Sequence, residues 1–417
     1  MKEKTWDTAV IGGGPAGMMA AGRAAELGAS VILIEKNPTL GKKLLLTGGG
    51  RCNVTNAEFD TRKFLEKFKD DGKFLFSTFS QFGVKESLQF FNSRNMFTKI
   101  EAENRVFPVS DSASSVLNTL QDYLKEGKVT VLLNSPISSI NKDGNIITSV
   151  TLKDGKEIHA KSFIVATGGK AYPETGSTGD GFTWLKKLGH DVIEASSALV
   201  PIIIKDKWIK DLQGVSLPEI KISIFQFGKK EEYKKGKILF THFGISGPTI
   251  LNMSKKVNEL LSSGDVTISL DILPRFDFSS LNEKLQKLFK ENINKKIKNT
   301  LTEIVPAAFV PIILGLSDIN PDTMNNSVTR EERIKLMKVL KDIPLQVGGL
   351  LGPENAIVSS GGINLKEIDC KTMRSSLFAN LYLTGDILNI DRPSGGYSLQ
   401  LCWTTGFVAG SSAAKVN

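Results

Sequence analysis

The stretch that most constrains this chain is Val10-Ile11-Gly12-Gly13-Gly14-Pro15-Ala16-Gly17, with Glu35 downstream. Gly12, Gly14 and Gly17 spell G-x-G-x-x-G. The apolar run from Trp6 to Ile11 predicts a buried strand. The residues after the glycines, mostly small (Ala16, Met18, Met19, Ala20, Ala21, Ala24, Ala25), predict a helix. Val31-Ile32-Leu33-Ile34 predicts a second strand that ends at Glu35. In such a βαβ unit Gly12 permits the tight turn, Gly14 lets a pyrophosphate approach the backbone, and Gly17 lets helix and sheet pack closely. The helix N-terminus offers free N–H groups and partial positive charge to the phosphates. Glu35 is placed to accept hydrogen bonds from ribose hydroxyls. The expectation is a nucleotide-binding unit.

At 417 residues the chain exceeds what one core organises, so two or three domains are expected. With 41% hydrophobic and 23% charged residues it reads as globular. No apolar run approaches the roughly 20 residues needed to cross a bilayer. Met1-Lys2-Glu3-Lys4 leads at once into the first strand, which argues against a signal peptide. Cys52, Cys370 and Cys402 are odd in number and widely spaced, which points away from a disulfide framework and towards a reducing cytosol. His159, His190 and His242 are too few and scattered to suggest a multi-histidine metal site. Of the net charge of +9, +7 falls between Lys205 and Thr300, where 18 Lys and Arg face 11 Asp and Glu. That excess fits a solvated lysine-rich surface or a face turned to a polyanion such as RNA.

Thr47-Gly48-Gly49-Gly50-Arg51-Cys52-Asn53-Val54-Thr55-Asn56 reads as a functional loop whose backbone lies against something flat or anionic, with Arg51 available to a phosphate and Asn53 and Asn56 to a ring edge. Residues 60–97 read as mostly helical. A helix capped by Ser110 or Asp111 is expected to run to Glu126, and Val129 to Leu133 to form a strand. Asp143-Gly144 and Asp154-Gly155 signal hairpins. Phe163-Ile164-Val165-Ala166-Thr167-Gly168 reads as a buried strand ending in a glycine turn. Near Leu199 the chain turns β-rich to residue 272, then helical and lysine-rich from 279 to 341.

The C-terminal stretch returns to the opening theme. Ala356 to Ile363 reads as strand and turn. Leu381-Tyr382-Leu383-Thr384-Gly385-Asp386 is an apolar strand ending in Gly-Asp, and Gly395-Gly396-Tyr397-Ser398 opens a small-residue helix to about Ala414. A carboxylate and a helix N-terminus in one place suit FAD, which needs an acceptor for ribityl hydroxyls and positive potential where the reduced ring gathers charge. No second G-x-G-x-x-G appears, so no separate NAD(P)H domain is visible.

Together these motifs resemble the two-dinucleotide-binding-fold flavoproteins, and more closely the BaiN/RdsA-type NAD(P)/FAD-dependent oxidoreductases, which include the aminoacetone oxidase group. The resemblance covers nearly the whole chain. It rests on Thr47 to Asn56, Arg105-Val106-Phe107-Pro108, Gly176-Ser177-Thr178-Gly179-Asp180-Gly181, Phe240 to Pro248 and Gly395-Gly396-Tyr397. The chain departs from the family pattern at Asp386 (usually Glu), Ser398 (usually Asn), Asn104 (usually Gly) and Arg392-Pro393 (usually a glycine turn).

The resemblance implies an α/β fold: a Rossmann-like FAD-binding domain (1–194 plus 355–417), an inserted β-barrel-like domain (195–274 plus 343–354) and a helical domain inserted into that (275–342). The residues and the resemblance together nominate as cofactor contacts Gly12, Gly14, Pro15, Ala16, Gly17, Glu35 and Lys36. In the glycine loop and before it they nominate Lys43, Thr47, Gly48, Gly50, Arg51, Cys52 and Asn53. Ala166, Thr167 and Gly168 follow, and then Gly385, Asp386, Gly395, Gly396, Tyr397 and Ser398. Cys52 and His242 are candidate proton donors. The implied activity is FAD-dependent reduction of an electron-poor C=C or C=O bond, with NAD(P)H as transient reductant. Alternatives are uridine reduction in large-subunit ribosomal RNA, with RNA as partner, and O₂-dependent oxidation of a small amine.

Overall fold

Seven residues, Thr5–Ile11, form strand β1, because their apolar side chains sit in a sheet covered on both faces. Pro15–Glu26 form helix α1, with Pro15 in the first turn where its missing N–H costs nothing. Val31–Ile34 form β2, which pairs parallel with β1. This computed structural model describes residues 4–193, 197–198, 200–352, 358–359 and 361–416. Met1 to Glu3, Leu199, the expected boundaries at 194–195 and 354–355, and Ala356, Ile357 and Ser360 lie outside the described residues. The chain divides into two compact units, Met1–Ala198 with Pro353–Asn417, and Leu199–Gly352.

In the first unit a seven-stranded sheet is described. Thr130–Leu132 pairs with β2, β2 with β1, and β1 with the long strand Glu157–Val165, all parallel. The start of Glu157–Val165 pairs antiparallel with Ile146–Leu152, which turns back on Ile137–Asp143 through Gly144. Its end pairs parallel with Leu381–Leu383, so the C-terminal Gly-Asp motif arrives beside Ala166 and Thr167. The helix expected from Ser110 or Asp111 is capped by Ser112, whose side chain accepts from the Ser114 N–H, and spans Ala113–Glu126. Helix Tyr397–Ala413 packs against α1, small residues meeting small residues in one apolar core.

Residues Thr55–Asn56, Arg105–Pro108 and Thr98–Glu101 make a second, three-stranded antiparallel sheet. The Trp403 indole donates to the Val54 carbonyl at 2.9 Å, and Thr55 Oγ1 donates to Gln400 at 2.6 Å. The C-terminal helix thereby holds the end of the Thr47–Asn56 loop.

The second unit is a closed six-stranded antiparallel barrel. Helices Phe278–Glu291, Val310–Leu316 and Arg330–Lys341 join the same apolar cluster as the barrel, through Leu281, Leu285, Ile313, Leu336 and Leu340. No described helix is long and apolar enough to cross a membrane.

Candidate functional site

The glycine motif sits where β1 ends. Gly12 takes φ +107°, and a Cβ on Gly17 would stand 1.9 Å from the Gly12 carbonyl oxygen, so only glycine lets α1 start here. A Cβ on Gly14, by contrast, would meet nothing within 4 Å. Gly14 faces a cavity at the end of the parallel strands, the usual place for a ligand in such a sheet.

Both ends of the chain line this cavity. Gly12, Gly14, Pro15 and Ala16 form one wall, with Glu35, Lys43 and Thr47 beside it. Ala166, Thr167 and Gly168 come from the end of Glu157–Val165, and Asp386 and Ser398 from the C-terminal stretch. Glu35 is buried. Its Oε2 accepts from the Gly13 N–H at 2.7 Å, and its Oε1 accepts from both N–H donors of Asn37 at 2.8 Å. Oε1 is thereby filled, and Oε2 keeps acceptor capacity for a ribose hydroxyl.

The Asp386 wall is charged. Burial pushes the Asp386 carboxyl up, but Arg392 and Lys43 outweigh it and hold it below its ordinary value. Arg392 is buried behind it. Its guanidinium pairs with Asp386 and donates to Ser398 Oγ at 3.1 Å and to the Ile390 carbonyl at 2.6 Å. Lys43 Nζ stands 3.6 Å from Asp386, buried and with no hydrogen-bond partner among the described residues. Thr167 Oγ1 is likewise buried without a partner among them.

Other nominated residues lie elsewhere. Lys36 lines a smaller adjoining cavity with Glu35, Ile137 and Trp184, and donates to Thr178 at 2.6 Å and Asp180 at 2.8 Å. Gly48 and Gly50 are exposed. Arg51 is engaged within the protein: its guanidinium bridges Glu101 at 2.7 and 3.2 Å, reaches Asp111 at 3.2 Å, and lies 3.9 Å over the Phe107 ring. Asn53 accepts from the Val106 N–H at 3.2 Å, fixing the loop to the small sheet. Gly17 and Gly385 back the cavity, the latter through an N–H to Thr405 at 3.1 Å. Gly395 accepts from Asn56 at 3.2 Å, Gly396 caps the C-terminal helix, and Tyr397 packs on Phe64 and Phe68. Cys52 is fully buried, with φ +62°, and burial pushes its thiol up to about 12. His242 is exposed on the turn between Lys229–Thr241 and Gly244–Ser246 of the barrel, edge-on to Phe243.

The cavity also takes residues that the sequence motifs did not nominate: Asn37, Thr175, Ser177, Leu399 and Cys402. Helical periodicity could have found Cys402, one turn after Ser398 on the same face. Thr175 and Ser177 come from a loop whose fold over the cavity has no local signature.

Compared with known proteins, residues 6–412 match the family model described as HI0933-like protein Rossmann domain. The chain belongs to that family. This HI0933-like chain is similar to the 3-dehydro-bile acid delta(4,6)-reductase of Clostridium scindens, 31% identical over 97% of this chain and 98% of the relative. The ribosomal RNA dihydrouridine synthase of Escherichia coli is 28% identical over 96% of each chain. Among solved structures, an open-form flavocytochrome c3 fumarate reductase superposes with a TM-score of 0.56 at 18% identity, covering 99% of this chain and 79% of that one. The 3-ketosteroid-delta4-(5alpha)-dehydrogenase of Rhodococcus jostii gives 0.54 at 14% identity, covering 99% and 97%. These likenesses place the HI0933-like chain in a flavoprotein fold, and the family makes it an oxidoreductase.

Proposed function

We propose that this chain is an FAD-dependent reductase that saturates an electron-poor C=C or C=O bond, with NAD(P)H as hydride source. One observation carries the reading: Gly12, Gly14, Glu35, Lys43 and Asp386 line one cavity at the N-terminus of α1, and a Cβ on Gly14 would meet nothing within 4 Å there. A wall of helix N-terminal backbone, a lysine and two carboxylates suits an anionic, hydroxyl-rich ligand. FAD fits it. The α1 N-terminus and Gly12–Gly17 suit its pyrophosphate, Glu35 a ribose, and Asp386 its ribityl hydroxyls. When bound, FAD supplies two-electron hydride chemistry between a reduced nicotinamide and the substrate.

The protein's own groups do the rest. Lys43 and the N-terminus of helix Tyr397–Ala413, which puts Ser398 on the wall, supply positive potential to a bound anion. The Thr47–Asn53 loop is braced by Arg51 and Asn53 and keeps Thr47 on the cavity. Cys52 is the proposed proton source. Its burial pushes the thiol up to about 12, so it stays protonated at neutral pH and gives up that proton less readily than an exposed thiol. The names of both curated relatives, a reductase and a dihydrouridine synthase, support a reductive direction.

A second reading makes the substrate a uridine of ribosomal RNA. The basic barrel favours it, because Lys221, Lys235 and Lys237 have no carboxylate partner among the described residues.

The test is anaerobic titration of the FAD-loaded protein with NADH and NADPH, followed by addition of an unsaturated ketone or ribosomal RNA. Bleaching of the flavin absorbance and its recovery on substrate are expected. Bleaching by neither nucleotide would sink the reading, and hydrogen peroxide release on adding small amines would favour an O₂-using amine oxidase instead.

A further inference from the structure

We propose that the outer face of the hairpin formed by Ser216–Gln226 and Lys229–Thr241 is a docking surface for single-stranded RNA. The inference deepens the RNA reading above and rests on it for its partner.

Strand alternation sets the two faces. Ile220, Ile222 and Ile224 are wholly buried in the barrel cluster, which turns Lys221 outward. On the facing strand, Tyr233, Lys235 and Lys237 are exposed at every second position, Tyr233 at 57%, while Ile238 and Phe240 are buried. The register sets Lys221 opposite Lys235 and Ser223 opposite Tyr233. Lys221 Nζ lies 5.1 Å from the centre of the Tyr233 ring. An exposed flat ring therefore stands among three outward lysines on one continuous sheet face.

The neighbouring carboxylates are already engaged. Glu232 pairs with Lys234 at 3.1 Å, and Glu231 with Lys229 and Lys256, each at 3.8 Å. Glu219 pairs with Arg275, and Asp271, the register neighbour of Lys221, is held by Lys341 at 2.7 Å. Lys221, Lys235 and Lys237 thus keep their charge for an outside anion. Unneutralised lysines take phosphates, and an exposed aromatic ring among them takes a stacked base, whatever its sequence. A duplex buries its bases and could not use Tyr233. An anionic membrane could use the lysines with Phe227, 80% exposed at the hairpin tip, but would leave the Tyr233 ring on the sheet face unused, so vesicles are the competing partner in the test.

The test uses the full-length, FAD-loaded protein and a short dye-labelled oligouridine, with anisotropy followed across a range of KCl. The face variant combines Lys221→Gln, Lys235→Gln and Lys237→Gln. Its control removes equal charge at Lys284, Lys287 and Lys290, all exposed on helix Phe278–Glu291. The face variant is expected to bind at least about tenfold more weakly, with a salt slope shallower by about 2, at about 0.7 per phosphate contact. Tyr233→Ala is expected to lose roughly fivefold or more, and Tyr233→Phe to keep binding, because stacking needs only the ring. Equal binding by the face and control variants would overturn the proposal. So would a parent protein that binds no RNA, or that binds only phosphatidylserine vesicles. Dihydrouridine in ribosomal RNA from cells with and without the gene separates the two claims. Unchanged dihydrouridine alongside face-dependent binding sinks the substrate reading alone. Gene-dependent dihydrouridine with normal binding by the face variant sinks the docking surface alone.

Discussion

Lys43 and Asp386 come from opposite ends of the chain and stand 3.6 Å apart on the wall of one cavity, the lysine buried without a hydrogen bond among the described residues. Arg392 first and Lys43 beside it hold the carboxylate ionised, and Lys43 brings a positive charge to the cavity wall. Lys43→Met should therefore weaken FAD binding by roughly ten- to a hundredfold, the loss of one charge-assisted hydrogen bond of about 1.5–3 kcal/mol. Titration of the apoprotein with FAD, followed by flavin fluorescence, reads it. Unchanged affinity would remove Lys43 from the cofactor site.

Two glycines three residues apart should behave oppositely. Gly17→Ala puts a methyl 1.9 Å from the Gly12 carbonyl, against rigid backbone, and should cost about 3 kcal/mol or more, or abolish folding. Gly14→Ala meets no protein atom within 4 Å, so it should fold with a near-normal melting temperature. Its methyl occupies the space assigned to the pyrophosphate, so the purified protein should be colourless. A yellow Gly14→Ala protein with full FAD content would count against that placement.

Arg392, itself buried, holds the Asp386 side of the cavity wall. Removing it as Arg392→Met leaves the half-buried Asp386 carboxylate with Lys43 as its remaining counter-charge. A loss of about 3 kcal/mol in urea unfolding is expected, since breaking one side of a buried pair leaves an uncompensated charge. The double variant with Asp386→Asn should recover part of that loss. A double variant no better than the single would mean that Arg392 acts through packing.

At the edge of the same unit, Asp7 bridges strand β1 to its surroundings. Its carboxylate accepts from Lys161 at 2.8 Å and from the Ser30 N–H and hydroxyl, and these bonds, Lys161 first, hold it at about 2. A carboxyl lowered in the folded state stabilises it above the unfolded value and loses that contribution as pH falls through the folded one. Each tenfold change in proton affinity is worth about 1.4 kcal/mol, and contact with solvent screens part of it, so Asp7→Asn should cost about 1–2 kcal/mol at neutral pH. The gap between parent and variant should narrow below about pH 4 and close towards pH 2. Urea midpoints measured across that range check it, and a pH-independent gap would contradict the ion-pair account.

By itself, the sequence determined the elements whose signal is local. Strand β1, the Gly12–Gly17 turn, α1, β2 and Glu35 form one continuous stretch, in which apolar periodicity and glycine sterics act between near neighbours. The same logic made legible the strand ending at Val165, the strand Leu381–Leu383 and the Asp-Gly hairpins. The tertiary structure alone decided which charges share a wall. Parallel pairing of Leu381–Leu383 with Glu157–Val165 brought Asp386 to Lys43. The packing of helix Tyr397–Ala413 placed Cys402 on the cavity and gave the end of the glycine loop its partners. Arg51 reads in sequence as a phosphate ligand, yet Glu101 and Asp111, brought near by the small sheet, engage it first. Cys52 reads as a tunable thiol in a polar loop, and its burial was set by the core it joins. Periodicity reports which face of an element is apolar. It cannot report which distant charge will lie opposite, because that depends on strand order and register, and so on contacts between residues far apart in the chain.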